Sequence, residues 1–532
     1  MNKSIFHEWV PKWCQDMSVL VLLCSQVFIS GISSSSIFSI SSYFGDEQDF
    51  IWFTYYGGIV AATAAQPFIS RFQRYFPKRQ MLLLFISAEI ILTVTVPLMS
   101  GDFVLFGCNF LLSSFKMLCL LDCLGTFMRR FNPQNSRGLL YGMYYGLSYP
   151  LAQVSTYLIA IIIMQYPWKY SFSIPLPGLC VSWLIVRFFM HGQRAMRKFP
   201  LYQVDWIGYG LFVVTGLSFA YACVYGERLR WLENIQIRTA FYVTICAFAV
   251  WIIRMLTVKR PYVNIKVIIK YKQIPWGIGM MLVLYAVYNT FNISTEFMKG
   301  ALQYDDSFIA CTNLYMAISF VVCIPLTGIW LHHHHRVREP LVLAFILFAL
   351  YYWGTARIFY EEENRYFFLF PMIIRAAAHG ICITSLGYFT SVNIPIKDNS
   401  ARAFFSLAPR NIMGSLISSA FWMNRFDYIK QYHYTSIASQ YIPEDSRVQT
   451  LWQTAASSLF NSGDIDGITS SVPAKLIQEN IYKQSVILGA RDLHYILGLI
   501  CLLIAIIVFF LKIFDIHYKN AMNQYSLAKF KD

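Results

Sequence analysis

The feature that most limits this chain is a run of about 18–25 apolar residues, repeated many times between short polar stretches. At 1.5 Å per residue, one such run crosses a hydrocarbon core of about 30 Å as a helix. Composition agrees where it matters: 57% of the 532 residues are hydrophobic and only 13% are charged, against roughly 25% charged in soluble domains. A soluble globule of this size needs far more polar side chains to cover its surface. These figures exclude a disordered chain, a disulfide scaffold and an ordinary cytosolic enzyme.

The runs predict fourteen spanning helices: 17–41, 50–70, 80–98, 103–128, 138–164, 172–190, 206–225, 238–257, 274–294, 308–331, 339–357, 366–389, 401–424 and 490–513. The expected fold class is an all-α polytopic membrane protein. Connections are short except for the basic stretch Val258–Ile274 and the polar stretch Arg425–Gly489. Fourteen divides naturally as six, two and six. Residues 1–200 would form an N-terminal half and 201–260 the inserted helices 7 and 8. Residues 261–532 would form a C-terminal half that includes an external loop at 425–489. Transporters built from two six-helix halves hold substrate near the midplane between them.

The formal charge of +15 would suggest nucleic acid in a soluble protein. Here the bases gather in alternate short loops. Arg71, Arg74, Lys78 and Arg79 follow helix 2, and Arg129, Arg130 and Arg137 follow helix 4. Arg254, Lys259, Arg260, Lys266, Lys270 and Lys272 follow helix 8, whereas the first loop on the other side holds Asp46, Glu47 and Asp49. The positive-inside rule then puts both termini in the cytoplasm. The lipid bilayer, not nucleic acid, is the expected partner. The first apolar stretch is long enough to remain as a helix and not a cleaved signal.

Helix 7 opens with Asp205-Trp206-Ile207-Gly208, ends at Gly226-Glu227-Arg228 and is followed by Trp231. Pro261-Tyr262-Val263-Asn264-Ile265 follows helix 8. Helix 13 carries Arg410-Asn411-Ile412-Met413-Gly414-Ser415, then Trp422-Met423-Asn424-Arg425. In order and spacing these segments resemble the D-x-x-G…G…W, P-x-V-D-L and R-x-x-x-G-S…W-x-N-R patterns of one family. It is the fourteen-helix drug:proton antiporter branch, EmrB-type, of the major facilitator superfamily. The resemblance covers nearly the whole chain. It implies proton-coupled export of small lipophilic or amphipathic compounds by alternating access across a bacterial inner membrane, with no cofactor. It also implies a periplasmic adaptor and an outer-membrane channel as partners, with Tyr434–Gly489 as a docking surface.

Three family motifs are altered. The loop between helices 2 and 3, Ser70–Arg79, is basic but lacks the Asp and glycines of G-x-x-x-D-R-x-G-R-[RK]. Helix 1 has no acid between Asp16 and Asp46, and helix 4 reads Cys108-Asn109-Phe110-Leu111-Leu112 where the family has R-x-x-Q-G. The alternatives are therefore a sensor or scaffold that no longer transports and, with less to support it, a membrane-embedded lipid-modifying enzyme.

An ionisable group inside a span is costly unless paired or wetted. Asp122 in helix 4, Glu89 in helix 3 and His379 in helix 12 are candidates to carry the coupled proton. Asp122 could instead bridge to a base on a neighbouring helix, and Glu89 could be a packing partner. Lys116, about 120° around helix 4 from Asp122, could receive an anionic substrate or bridge to another helix. Arg375 stands one turn before His379; the two could couple protonation to ligand charge or pair with Asp122. Arg410 is a candidate for the pathway or gate.

Tyr145, Tyr149 and Gln153 in helix 5 and Tyr285, Tyr288 and Asn289 in helix 9 are candidates to line a chamber for amphipathic molecules. Gly138, Gly142, Gly146 and Pro150 recur every four residues and leave one face of helix 5 nearly free of side chains, permitting close helix approach. The run His332–His335 cannot aim four rings at one ion and reads as a solvated loop. Cysteines within apolar runs (Cys24, Cys108, Cys180, Cys246, Cys323, Cys501) read as small hydrophobes, and no metal site is expected. No G-x-x-x-x-G-K-[ST] loop is present, so the chain is not itself an ATP-driven pump.

Overall fold

The computed structural model describes residues 5–29, 48–98, 101–132, 136–192, 204–360, 365–395, 398–440, 449–450, 453 and 471–514. Helix α1 is Lys12–Phe28, and α2 is Gln48–Ala65, continued by Ile69–Tyr75. Then follow α3 (Lys78–Thr95), α4 (Asp102–Phe131), α5 (Arg137–Gln165) and α6 (Pro175–Phe189). After them come α7 (Trp206–Tyr225) and α8 (Ile235–Thr257). Helix α9 (Gln273–Tyr288) continues through Phe291–Glu296 into a π-helical turn at Phe297–Ala301. Next are α10 (Asp306–His334), α11 (Arg338–Ile358) and α12 (Leu369–Ser391). Helix α13 runs Asn399–Ala408, passes through a π-helical segment at Pro409–Gly414 and resumes over Ser415–Ala438. Helix α14 is Ser471–Phe510.

Among the described residues, eleven helices (α3 to α12 and α14) are long and apolar enough to cross a bilayer. Their outward faces are apolar too: on α8, Ile245 is 63% and Ile253 60% exposed, a surface suited to lipid and not to water. The chain is an all-α polytopic membrane protein. The second half of the predicted helix 1 (30–41), the acids Asp46 and Glu47, and most of 441–470 lie outside the described residues.

The polar stretch 425–489 differs from its expected form. Helix α13 runs on to Ala438 and α14 begins at Ser471. The forty residues of α14 reach roughly 60 Å at 1.5 Å each, twice the hydrocarbon thickness. The ends of the expected loop are thus helices that project past the apolar zone. The stretch Ala474–Leu488 reads as helical from its sequence and is part of α14, and the polar composition hid only the extension of α13 to Ala438, because a helix outside lipid needs no apolar run.

Buried apolar side chains form two large clusters. One joins α1–α4, α6–α8 and the first part of α13; the other joins α9–α12 and α14 with Leu140 and Tyr141 of α5. The basic loops meet on a single face. Arg71 donates to the Pro261 carbonyl at 3.2 Å, Arg130 pairs with Asp16, and Lys270 pairs with Asp398 at 3.4 Å.

At the opposite face, Arg228 pairs with Asp49 at 3.5 Å, and Lys430 pairs with Glu296 at 2.9 Å and with Asp427. Glu227, just beyond α7, stands near Asp427 there. Partial burial, then the Asp427 charge, raises the Glu227 pKa to about 7, while Lys430 acts the other way. A raised acid binds its proton more tightly folded than unfolded. Its stabilising contribution is therefore full below about pH 4.5 and is lost as pH rises through 7. Glu227→Gln is expected to flatten this fall and to melt a few degrees higher than wild type at pH 8 but not at pH 5. Melting curves in detergent at the two pH values test it; parallel curves would remove Glu227 as the group responsible.

Candidate functional site

The glycine stripe of α5 is where the N-terminal helices meet the C-terminal ones. A Cβ on Gly142 would stand 2.9 Å from the Gly328 Cα of α10, and one on Gly138 2.8 Å from the His332 amide nitrogen. One on Gly146 would stand 3.0 Å from the Pro325 ring. Backbone thus rests on backbone, as the spacing predicts, with Pro150 buried one turn further on. The contact lies toward the basic face. Ser136 reaches His332 Nδ1 at 2.8 Å, Arg402 donates to the Tyr141 hydroxyl at 2.9 Å, and Gln66 donates to the Ser400 carbonyl at 3.4 Å. The histidine run is therefore not simply solvated. His332 bridges to the segment before α5, and His335 Nδ1 lies 2.9 Å from the Tyr388 hydroxyl.

Further along α5, deeper in the apolar zone, the predicted pathway residues converge. Tyr145 packs beside Tyr149, whose hydroxyl lies 3.4 Å from that of Tyr285 on α9. The His379 imidazole of α12 stacks on Tyr288, centroids 3.8 Å apart and planes at 13°, and meets Tyr149 edge-on at 5.1 Å. Phe320 and Tyr285 close its remaining sides at 5.9 and 5.8 Å. His379 is 1% exposed, and neither ring nitrogen has a hydrogen-bond partner. Arg375 lies 4.1 Å from the Tyr288 ring centre and donates to the Tyr288 carbonyl at 2.7 Å. Arg410 enters from the π-helical segment of α13, 5.9 Å from the Tyr285 ring, with Nε donating to Asn411 at 2.9 Å. Asn289 ends α9 with a buried, unpartnered Nδ2. Gln153 is half-buried one turn past Tyr149.

The two carboxylate candidates stand apart from this cluster. Glu89 is 0% exposed, accepts from Gln26 of α1 at 2.9 Å, and interacts electrostatically with Lys116 of α4. Glu89 and Lys116 form no direct ion pair, and Glu89 Oε1 is buried without a hydrogen-bond partner. Asp122 lies at the basic end of α4, paired with Lys78 at 3.0 Å and accepting from Gln73 at 2.8 Å. Its partner is the base leading into α3, not Arg375 or His379.

Sequence reasoning missed Gln26, Gln73 and Lys78 as partners, because polar residues flanking an apolar run carry no sign of which helix they will meet. Three family-like motifs acquire physical roles. Asp205 caps α7 by accepting from the Gly208 amide at 3.0 Å, pairs with Arg254 at 2.8 Å and accepts from the Tyr262 amide at 3.3 Å. It thereby ties α7, α8 and the following loop together. Trp231 lies directly on Gly226, where a Cβ would be 2.6 Å from its ring. Trp422 Nε1 and Ser418 both donate to the Ala286 carbonyl of α9, at 2.7 and 2.9 Å.

Among the described residues no group of three His, Cys, Asp or Glu could hold a metal. All twelve cysteines are free. Cys119, Cys123, Cys382 and Cys501 are buried as small hydrophobes, whereas Cys180 and Cys246 face outward.

The Multidrug export protein EmrB of Escherichia coli strain K12 is 20% identical over 356 residues, covering 65% of this chain and 66% of that protein. The Colistin resistance protein EmrB of Acinetobacter baumannii is 21% identical over 355 residues, with the same coverage. The chain thus matches just under two thirds of the length of these relatives. A solved proton-dependent oligopeptide transporter aligns with a TM-score of 0.58 at 11% identity, covering 94% of this chain and 98% of that one. A bacterial homologue of the human drug peptide transporters aligns at 0.56 and 12% identity, with the same coverage. At such identities these likenesses speak to the fold alone. The Major Facilitator Superfamily profile matches residues 19–418; with the helix order and the motif contacts above, it follows that this chain belongs to the major facilitator superfamily, as a divergent relative of its EmrB proteins.

Proposed function

We propose that the chain is a proton-coupled exporter of lipophilic or amphipathic compounds, working by alternating access with its basic face and both termini in the cytoplasm of a bacterial inner membrane. The observation that carries this reading is the aromatic cluster of Tyr145, Tyr149, Tyr285, Tyr288 and His379, set where two groups of helices meet. Aromatic walls with few polar anchors suit amphipathic ligands. Between this cluster and the basic face, the α5–α10 contact serves as the inner gate, and its lack of side chains lets backbone close on backbone.

The missing helix 1 acid is replaced by Glu89, which accepts from Gln26 of α1 and senses the Lys116 charge of α4 electrostatically. A carboxylate shared among three helices is placed to change partners as they move. Asp122, held by Lys78 and Gln73, acts as a tie between the α2–α3 loop and α4. The helical projections of α13 and α14 offer the surface for a periplasmic adaptor leading to an outer-membrane channel. Proteoliposomes test the reading. An amphipathic dye should leave the face opposite the basic one several-fold faster under an imposed proton gradient than without it. A chain that moved no compound under any gradient would instead be a sensor or scaffold.

A further inference from the structure

We infer that this aromatic cluster opens in the transport cycle to an anion: it takes an amphipathic monocarboxylate, whose charge sits between Arg410 and His379 and whose apolar body lies on Tyr145, Tyr149 and Phe320. This deepens the exporter reading and rests on it. Three observations lead there.

First, His379 is 1% exposed with both ring nitrogens lacking a partner. A buried imidazole with two unmet polar atoms is costly, and a ligand that accepts from its N–H lowers that cost. Second, Arg410 stands in the apolar zone and, among the described residues, pairs with no carboxylate; its Nε meets only the neutral Asn411. A guanidinium in that setting favours an anionic partner over a neutral one. Third, the buried acids bond outside this cluster: Glu89 accepts from Gln26, and Asp122 pairs with Lys78 and accepts from Gln73. The fixed charges acting on His379 are those of Arg375 and Arg410, both positive.

A positive, aromatic-walled site repels an organic cation of matched size and attracts the corresponding anion. The π-helical segment Pro409–Gly414 serves this arrangement. It shifts helical register locally, and Gly414, where a Cβ would be 2.8 Å from Tyr285 Cβ, lets Arg410 approach the α9 tyrosines.

The test pairs naphthalene-2-acetate with 2-(2-naphthyl)ethylammonium, and adds decanoate to separate aromatic from acyl carboxylates. Binding is measured by calorimetry on the full chain in nanodiscs, and uptake in proteoliposomes. The acetate should bind at least about tenfold more tightly than the ammonium, as charge-assisted contacts of about 1.4 kcal/mol or more require. Arg410→Gln should weaken the acetate about tenfold and Arg410→Lys much less. His379→Phe, an independent change on another helix, should weaken it similarly. Equal or tighter binding of the ammonium overturns the anion assignment, and if that cation is carried, the exporter reading stands without it. If neither probe is carried, the exporter reading fails, while binding that discriminates as stated still upholds the anion site. Acetate binding unmoved by both Arg410→Gln and His379→Phe overturns the assignment even where the acetate is carried.

Discussion

Replacing Gly142 with leucine is expected to lower transport at least about 100-fold while leaving the chain folded. A Cβ at Gly142 would meet the Gly328 Cα at 2.9 Å, and the reciprocal Cβ on Gly328 would meet the Gly142 Cα at 2.6 Å. No flexible side chain can step aside there, so the two helices must separate. Overpacking a core costs about 1–3 kcal/mol when neighbours can shift, and a backbone obstacle costs at least that much. The cost falls only on the state in which α5 and α10 touch. A bias of about 3 kcal/mol removes that state from the cycle, since each 1.4 kcal/mol is tenfold. Gly125 of α4 provides the control, because a Cβ there meets nothing within 4 Å; Gly125→Leu should transport like wild type. Reconstituted efflux with a thermal melt measures both. Wild-type efflux from a folded Gly142→Leu protein would exclude this contact from the transport cycle.

The same stripe shows how far the sequence could be read. Gly138, Gly142, Gly146 and Pro150 declared a bare helix face by spacing alone, yet nothing in the spacing named α10 as the surface that meets it. The helices themselves were legible because lipid imposes one length and one polarity on every span. That rule lapses outside the apolar zone: Ala474–Leu488 reads as helical inside a polar stretch and is so in α14, whereas the extension of α13 to Ala438 carries no such signal. The aromatic cluster was legible in part. Arg375, His379 and Arg410 stood out because charge inside a span is costly. Tyr145, Tyr149, Tyr285 and Tyr288 were candidates among 35 tyrosines, and only packing brought them around one imidazole. Asp122 shows the limit most plainly. Its partner Lys78 lies outside the apolar run of α3, and ion pairs between helices leave no mark in either helix alone.

Glu89→Gln is expected to abolish gradient-driven efflux, a loss of about 100-fold, and also to destabilise the protein. The two effects have different origins. Glu89 is fully buried, and its removal takes away the negative charge that acts electrostatically on Lys116. The two groups interact without a direct ion pair, so losing one costs less than the roughly 3–5 kcal/mol of a broken buried salt bridge, whereas replacing both with neutral groups is often nearly neutral. Lys116→Met alone should therefore destabilise to a similar degree, and the double variant Glu89→Gln with Lys116→Met should melt close to wild type. Coupling follows another rule, because a proton carrier must titrate and neither glutamine nor methionine does. The double variant should regain its stability and still show no response to the gradient. If the pair merely held α3 to α4, stability and driven efflux would return together. That recovery would take the coupling role away from Glu89 and leave it as a structural contact.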